Sequence, residues 1–118
     1  MHIDETTFGS ITIDGKMFNH DVIVQLSGKV IKRQKSLSKK HFGTSHTLSK
    51  EEIEFVFESA CESLIIGTGQ YGQVKLSTEA SDFIKEKYCQ IKIAPTPQAI
   101  DIFNSESTKK IGLFHVTC

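Results

Sequence analysis

Residues 63–72 read SLIIGTGQYG, an apolar run typical of a buried strand that ends in a glycine-rich turn. Just upstream, Ser49 and Glu52 have the spacing of a capping box, and apolar residues at helical spacing predict a helix over residues 50–62. A strand over residues 64–66 follows almost directly. A helix that leads straight into a buried strand is typical of α/β proteins, in which helices cover the faces of a sheet.

The alternation of helix and strand continues to the end of the sequence. We predict a helix capped by Ser77 or Thr78, a strand over residues 91–94, a helix opened by Thr96 as cap and Pro97, and a strand over residues 111–116. Because strands separated by helices need crossover connections, the central sheet is expected to be at least partly parallel.

The first third of the chain has a different pattern. Residues 8–19 predict a hairpin that turns at Asp14-Gly15, and residues 22–26 and 30–31 predict further strands. Residues 34–48 are polar and aperiodic, which predicts a long loop. The expected fold is therefore α/β, with a central mixed sheet, about three helices and an N-terminal antiparallel β addition, in one domain spanning residues 1–118.

The composition limits the classes of function. Fourteen Lys and Arg balance fourteen Asp and Glu, which argues against binding DNA by bulk electrostatics. No apolar run approaches the length of about eighteen residues that a membrane span needs, and no leader pattern opens the sequence. Cys61, Cys89 and Cys118 show no framework spacing, so free thiols and a cytoplasmic location are expected.

The charge is unevenly distributed along the chain. No acidic residue lies between Asp21 and Glu51, and this segment holds half of the cations. They are Lys29, Lys32, Arg33, Lys35, Lys39, Lys40 and Lys50. Together with Thr44, Ser45 and His46, part of this set could form a cationic rim for a carboxylate or phosphate. A solvated run of charges is the alternative.

Gly67, Gly69 and Gly72 match the GxGxxG pattern of a dinucleotide site. The rest of that site is missing, because the next helix starts only near Ser77 and Ala94-Pro95 stands where an acid should hold a ribose. We therefore expect no cofactor. Two readings stay open for residues 67–72: a tight turn that requires positive φ, or a small nest of backbone amides around Gly67, Thr68 and Gly69 that binds an anion.

The chain ends in FHVTC, which places His115 three residues before Cys118. These two residues could supply two metal ligands, but the sequence offers no further pair at ligand spacing, so no metal site is expected. An activated Cys–His pair is also disfavoured, because residues three apart in a strand point to opposite faces. His115 is expected to be a hydrogen-bonded sheet residue. The five glutamates of the helix over residues 50–62 are expected to form its solvated face.

The chain resembles a small uncharacterised-domain family in four segments: FGSITIDG, KKHFGTSH, LIIGTGQYG and GLFHVTC. That family includes the adipogenesis-associated protein of animals and a mitochondrial complex I assembly factor, and this chain looks like a stand-alone microbial member. The resemblance implies a three-layer α/β fold with an additional β layer. The roles of the eukaryotic members, in adipocyte differentiation or respiratory-complex assembly, are interaction roles and are not carried over to this chain. The resemblance carries over no catalytic residue. Cys89 stands where relatives commonly turn with a glycine, which implies a slightly strained helix end.

These observations predict a binding or assembly module with a small polar, anion-binding cleft. Loops that follow the carboxyl ends of strands converge in an open α/β sheet, so the cleft is placed where the glycine turn meets the loop over residues 43–46 and His115. Its predicted residues are Gly67, Thr68, Gly69, Arg33, Lys40, Thr44, Ser45, His46 and His115. The partner is expected to be a protein or a small anionic ligand, with no membrane, and the chain a monomer or weak homodimer.

Two other functions remain open. An enzyme acting on a small acidic or phosphorylated metabolite would use His46 or His115 as general acid or base. RNA binding is the least favoured reading, since only Phe42 could stack on a base within the basic segment, and it predicts an affinity that falls steeply with salt.

Overall fold

A computed structural model describes residues 1–118 of the chain. The strands are β1 (Ile3–Thr7), β2 (Ser10–Ile13), β3 (Lys16–Phe18), β4 (Val22–Val24), β5 (Val30–Lys32), β6 (Thr47–Leu48), β7 (Ser63–Thr68), β8 (Lys75–Leu76), β9 (Gln90–Ala94) and β10 (Lys110–His115). The helices are α1 (Ser36–Phe42), α2 (Lys50–Val56), α3 (Thr78–Glu86) and α4 (Thr96–Ser105). None of these helices has the length and apolar character that crossing a membrane would require.

The central sheet has five strands in the order β5-β4-β10-β7-β9. Strands β10, β7 and β9 are parallel, as the alternation of helix and strand predicts, and β4 lies antiparallel to both β10 and β5. Strands β1, β2 and β3 form a separate antiparallel sheet. The predicted mixed sheet with an N-terminal antiparallel addition is confirmed.

Successive residues of β7 point to opposite faces of the central sheet and into two different cores. Leu64 and Ile66 pack with residues of α2 and α3, whereas Ile65 packs with α4 and the three-stranded sheet. Because both faces are covered, every residue of the strand is buried, and residues 64–66 form a continuous apolar run. The result is three layers, with α1, α2 and α3 on one side of the sheet and α4 with the small β sheet on the other.

The structure corrects several predicted elements. Residues 34–48 contain helix α1 and strand β6 instead of a continuous loop, so the chain has four helices. The sequence gives no sign of helix α1 for two reasons. Lys35, at the N-cap position, makes no side-chain cap, and the buried residue of the helix is the polar Ser38, so the helix has no apolar period. It ends at Gly43, which has the left-handed conformation typical of helix ends.

Three further boundaries differ from the prediction. Helix α2 ends at Val56 rather than near residue 62, because Phe57 is extended and its ring packs edge-to-face on Phe83, with the centroids 5.6 Å apart. Strand β1, which precedes the predicted hairpin, buries Ile3. At the end of α3 the left-handed residue is Tyr88, with φ of 57°, rather than Cys89.

One edge of the central sheet collects the polar residues. The pairing of His115 with Thr68 in the parallel strands β10 and β7 places both side chains on the same face of the sheet. Asp21 precedes β4 and Arg33 follows β5, and since those strands pair through Val22 and Lys32, both residues lie at this same edge. The edge is therefore built from the carboxyl ends of β5, β10, β7 and β9 and the amino end of β4.

Candidate functional site

Arg33 lies at the centre of a buried ionic network. Its guanidinium donates from Nε to Oε2 of Glu52 over 2.6 Å and from Nη1 to Oδ2 of Asp21 over 2.9 Å. All three side chains are at most 2 % exposed. Burial alone would lower the pKa of Arg33, but the hydrogen bonds to Glu52 and Asp21 outweigh this effect and raise it. The network thus holds a permanent cation between two carboxylates inside the protein.

Asp21 also contacts His115, and His115 contacts Thr117. Asp21 Oδ2 lies 2.7 Å from His115 Nδ1, and Nε2 of the same ring lies 3.1 Å from Thr117 Oγ1. Because an ionised carboxylate only accepts hydrogen bonds, Nδ1 carries a proton and donates it to Asp21, while Nε2 and the Thr117 hydroxyl share a second hydrogen bond. A carboxylate, an imidazole and a hydroxyl therefore form a hydrogen-bonded chain at the sheet edge.

Asp21 is ionised in this arrangement. Burial by itself would raise the pKa of its carboxyl group. Hydrogen bonds from His115, from the Val116 amide and from Arg33 outweigh burial and hold this pKa well below its usual range. The carboxylate can therefore orient the His115 ring without competing for its proton at neutral pH.

Ser38 of α1 and Ser49, the N-cap of α2, hold Glu52 by its carboxylate and by its backbone amide. The Ser38 hydroxyl of α1 donates a very short hydrogen bond to Oε1 of Glu52, and Arg33 also donates to the Ser45 carbonyl over 2.6 Å. Ser49 caps α2 by accepting from the Glu52 amide, but its own amide donates to Ser38 rather than to the Glu52 side chain. Half of the predicted capping box is thus present, and the Glu52 side chain is free to bind Arg33.

A cleft of about 440 Å³ opens beside this network. We refer to it as the edge cleft, and its lining residues are Gly9, Asn19, His20, Asp21, Lys32, Arg33, Lys35, Val116 and Thr117. Lys35 Nζ lies 3.6 Å from Asp21 Oδ2, while Lys32 is exposed and makes no ion pair. Since Asp21 and Glu52 offset only two of the three cations Lys32, Arg33 and Lys35, the cleft has an excess positive charge.

A larger cavity, of about 600 Å³, lies elsewhere, against α2 and the adjoining ends of α1 and α3. Of its lining residues, Glu51 is paired with Lys40 and His41, and the other charged side chains are exposed. No part of the buried network borders this cavity apart from Ser49. The edge cleft is therefore the better candidate for a site.

The structure contradicts an anion nest at the glycine turn, because the amides of residues 69–73 already donate within the protein and Gly67 and Thr68 belong to the paired strand β7. Gly69 N–H donates to Thr96 Oγ1, Gln70 N–H to the Thr117 carbonyl, and Gly72 N–H to the Gly69 carbonyl. Tyr71 and Gln73 both donate to the Cys118 carbonyl. The alternative reading of the sequence, a tight turn that requires positive φ, describes Gly69 and Gly72, with φ of 104° and 69°.

Gly67 and Gly69 serve close packing within the protein. A Cβ on Gly67 would lie 2.8 Å from side-chain atoms of Phe114 and Thr96, and one on Gly69 would lie 2.3 Å from the Cys118 backbone. Thr68, on the same face as His115, is buried. These three residues support the C-terminal strand instead of lining a cleft.

The structure separates the remaining predicted residues. Arg33 borders the edge cleft, but it is buried in the network and does not belong to a solvated rim. Lys40 pairs with Glu51 on the surface and does not line the cleft. Thr44 accepts from the His46 amide and shapes its own loop. The exposed His46 ring lies edge-on to His115, with the centroids 5.6 Å apart. The predicted meeting of residues 45 and 46 with His115 is therefore found, although none of the predicted turn residues lines the edge cleft.

Sequence analysis missed Asp21, Glu52 and Thr117. Asp21 could have been found, because the amino end of an antiparallel strand lies beside the carboxyl ends of its parallel neighbours. Glu52 was predicted to lie on a solvated face but is fully buried. A carboxylate is rarely buried unless it has a cationic partner, which Arg33 provides here. No local pattern links it to Arg33, since nineteen positions separate them.

Comparison with known proteins places the chain in a family. A family model described as a protein of unknown function (DUF498/DUF598) matches residues 3–111, which confirms the resemblance to an uncharacterised small-domain family. The chain is similar to a conserved hypothetical protein from Pyrococcus horikoshii, with 35% identity, a TM-score of 0.93 and 100% of each chain covered. It is also similar to a protein designated MT938, with 31% identity, a TM-score of 0.86, and 99% of this chain and 98% of that one covered.

More distant structures share the fold alone. A Bartonella henselae protein named as an outer membrane protein is 21% identical, with a TM-score of 0.76, and the match covers 98% of this chain and 94% of that one.

Proposed function

Since the chain belongs to the DUF498/DUF598 family of proteins of unknown function, we propose its function from the site: it is a cytosolic binding module that holds a small anionic group in the edge cleft. The observation that carries this proposal is the excess positive charge of a concave site, in which Lys32 has no carboxylate partner. Lysine ammonium groups in such a cleft favour a carboxylate or phosphate. The three free cysteines support a reducing compartment.

The Arg33 network gives the cleft a rigid floor. Its charges are paired and hydrogen-bonded, and no buried side-chain nitrogen or oxygen atom of the protein lacks a partner. A bound anion would therefore contact Lys32, Lys35 and the polar groups around them without having to reorganise the interior. Pre-organisation of this kind reduces the entropic cost of binding.

An NMR titration with inorganic phosphate and with acetate, at constant ionic strength, tests the proposal. We expect the backbone amides of Gly9, Lys32 and Thr117 to shift, and the Lys35→Ala variant to bind several-fold more weakly. Lys39→Ala is the matched control, because Lys39 is exposed on α1 and does not line the cleft. Shifts that miss the cleft, or equal affinity in the wild type and Lys35→Ala, would overturn the proposal.

The anionic group could belong to a free metabolite or to a protein surface, and the second case corresponds to an assembly role. A thermal-shift screen against anionic metabolites separates the two, because a ligand at a hundred times its Kd stabilises the fold by about 2.7 kcal/mol. If no metabolite stabilises the fold, although phosphate shifts the amide resonances at the cleft, a protein partner is favoured.

A second candidate function is catalysis on a small acidic or phosphorylated metabolite. The alignment of Asp21, His115 and Thr117 favours it, because an oriented imidazole beside a hydroxyl is the arrangement of a general base. His115 is buried, so its Nε2 would accept a proton from the hydroxyl of Thr117, which lines the cleft, while Asp21 keeps the ring in place. Turnover of a phosphorylated metabolite, followed by ³¹P NMR and lost in His115→Gln but retained in His46→Gln, would establish this function.

A further inference from the structure

Two exposed aromatic side chains lie on loops next to the edge cleft, outside its lining. Phe8 is 60% exposed and Tyr71 is 73% exposed, and their ring centroids lie 6.2 Å apart with the planes inclined by 42°. Neither side chain belongs to the two buried cores. We call this pair the aromatic rim. Phe8 was predicted to open a hairpin over residues 8–19, and it lies instead in the turn between β1 and β2.

Backbone hydrogen bonds tie the aromatic rim to the cleft. Gly9, which follows Phe8 and lines the cleft, donates to the Val116 carbonyl over 2.8 Å. On the other side, Tyr71 donates to the Cys118 carbonyl over 3.1 Å, and its neighbour Gln70 donates to the carbonyl of Thr117, another lining residue. Both rings are therefore carried by loops fixed to the strand end that forms one wall of the cleft.

The two loops are also joined to each other. The Gln70 side chain donates from Nε2 to Thr6 Oγ1 over 3.0 Å, which connects the glycine turn to the end of β1. With both loops held, the backbone that carries the two rings is fixed. Exposed aromatic side chains on a fixed backbone beside a polar cleft are suited to stack on a flat ring.

The size of the rim favours a small planar ligand over a protein. It consists of two side chains whose neighbours along the chain, Thr7 and Gln70, are polar. A stable protein interface buries about 800 Å² on each partner, far more than two rings supply. The edge cleft, at about 440 Å³, is within the range of small-molecule sites.

We propose that the ligand of the edge cleft carries its anionic group on a planar aromatic ring system, as a nucleoside monophosphate does. The phosphate or carboxylate lies by Lys32 and Lys35, and the ring lies on Phe8 and Tyr71. This inference rests on the proposed anion-binding function and adds the chemical class of the ligand. It differs from a dinucleotide site at the glycine turn, because the backbone amides of that turn take no part.

The test compares AMP and UMP with ribose 5-phosphate, which has the same sugar and phosphate but no base. By calorimetry, the nucleotides are expected to bind wild-type protein about tenfold more tightly than ribose 5-phosphate. In the Phe8→Ala/Tyr71→Ala variant this difference is expected to vanish, while the affinity for ribose 5-phosphate stays unchanged. Tyr88→Ala is the control, since Tyr88 is 96% exposed and lies at the end of α3, outside the cleft lining.

The outcomes separate this inference from the proposed function. If ribose 5-phosphate and both nucleotides bind equally well, the aromatic rim has no role and anion binding survives. If the double variant weakens all ligands alike, the rim supports the anion site rather than the ring, and the inference is overturned. If no ligand binds, the proposed function fails and the inference fails with it. Ring-current shifts of the Phe8 and Tyr71 protons, seen with AMP and absent with ribose 5-phosphate, are the supporting spectroscopic result.

Discussion

Arg33 and Glu52 form an ion pair, 2.6 Å from Nε to Oε2, that joins the end of β5 to helix α2 inside the protein. Both side chains are at most 1% exposed. Two charges removed from water are costly unless each is paired and hydrogen-bonded. Asp21, Ser38 and the Ser45 carbonyl supply the additional hydrogen bonds, so the pair fixes the position of the helical layer over the sheet edge.

Replacing Arg33 by Met should destabilise the protein strongly. The substitution leaves the carboxylates of Asp21 and Glu52 buried without their cation, and breaking a buried pair in this way costs about 3–5 kcal/mol. Urea unfolding at pH 7 measures the loss as a lower transition midpoint. Lys40→Met is the control, since it breaks an exposed pair with Glu51 and should leave the midpoint near that of the wild type. A small effect of Arg33→Met would mean that the network contributes little to stability.

Asp21 should make stability depend on pH in the acidic range. Its folded-state pKa lies below the unfolded value of about 3.9, so the stabilisation is complete above that pH and is lost as pH falls through the folded-state pKa. The difference in unfolding free energy between wild type and Asp21→Asn should therefore be constant from pH 5 to 7 and shrink below about pH 4.

Other carboxyl groups titrate in the same acidic range. Hydrogen bonds from Lys92 and Thr108, for example, lower the pKa of Glu106 to about 2. Because Glu106 is present in both proteins, its contribution cancels in the difference between wild type and Asp21→Asn. An unchanged difference down to pH 2 would contradict the assignment of a depressed pKa to Asp21.

Patterns within a few residues predicted the elements, but not the contacts between distant elements. The apolar run over residues 64–66 and the caps at Ser49 and Ser77 were found in the sequence because strand burial and helix capping are local effects. Helix α1 was missed because its buried contact is made by Ser38, whose partner Glu52 lies fourteen positions away. When the buried residue of a helix is a serine, the sequence of that helix shows no apolar residues at helical spacing.

The proposed edge cleft lies at the sheet edge where the sequence predicted a site, but most of its lining residues differ from the predicted ones. The rule that loops converge at the carboxyl ends of strands correctly brought Arg33, His46 and His115 near one another. It could not show that amides of the glycine turn donate hydrogen bonds to the carbonyls of Thr117 and Cys118. That outcome depends on how the last residues of the chain fold back, and the local sequence does not encode it.

The three cysteines should differ in reactivity. Burial and the neighbouring Cys89 thiol raise the pKa of Cys61 to about 12, and burial also raises the pKa of Cys89. Since the thiolate is the reactive form, a disulfide reagent should modify Cys118 rapidly and the other two only on unfolding. We expect one fast equivalent in native protein, three equivalents in denaturant and none fast in Cys118→Ser. A second fast equivalent in native protein would show that the Cys61–Cys89 region opens readily.

Gly69→Ala should be more destabilising than substitution of a glycine that has only a conformational requirement. Gly15, in the turn between β2 and β3, has φ of 80°, and a Cβ added there would meet nothing within 4 Å, so Gly15→Ala should cost only the strain of a positive φ, about 1–2 kcal/mol. Gly69 has φ of 104°, and an added Cβ would also lie 2.3 Å from the Cys118 backbone and 2.8 Å from the His115 ring.

The steric clash of Gly69→Ala can be relieved only by displacing the residues after β10. This displacement would break the hydrogen bonds from Tyr71 and Gln73 to the Cys118 carbonyl and shift the His115 ring away from Asp21. We therefore expect Gly69→Ala to lower the free energy of unfolding by at least twice as much as Gly15→Ala, and to perturb the His115 imidazole resonances, which Gly15→Ala should leave unchanged. Equal losses in the two variants would show that the C-terminal residues yield easily, and that the turn does not hold His115 in place.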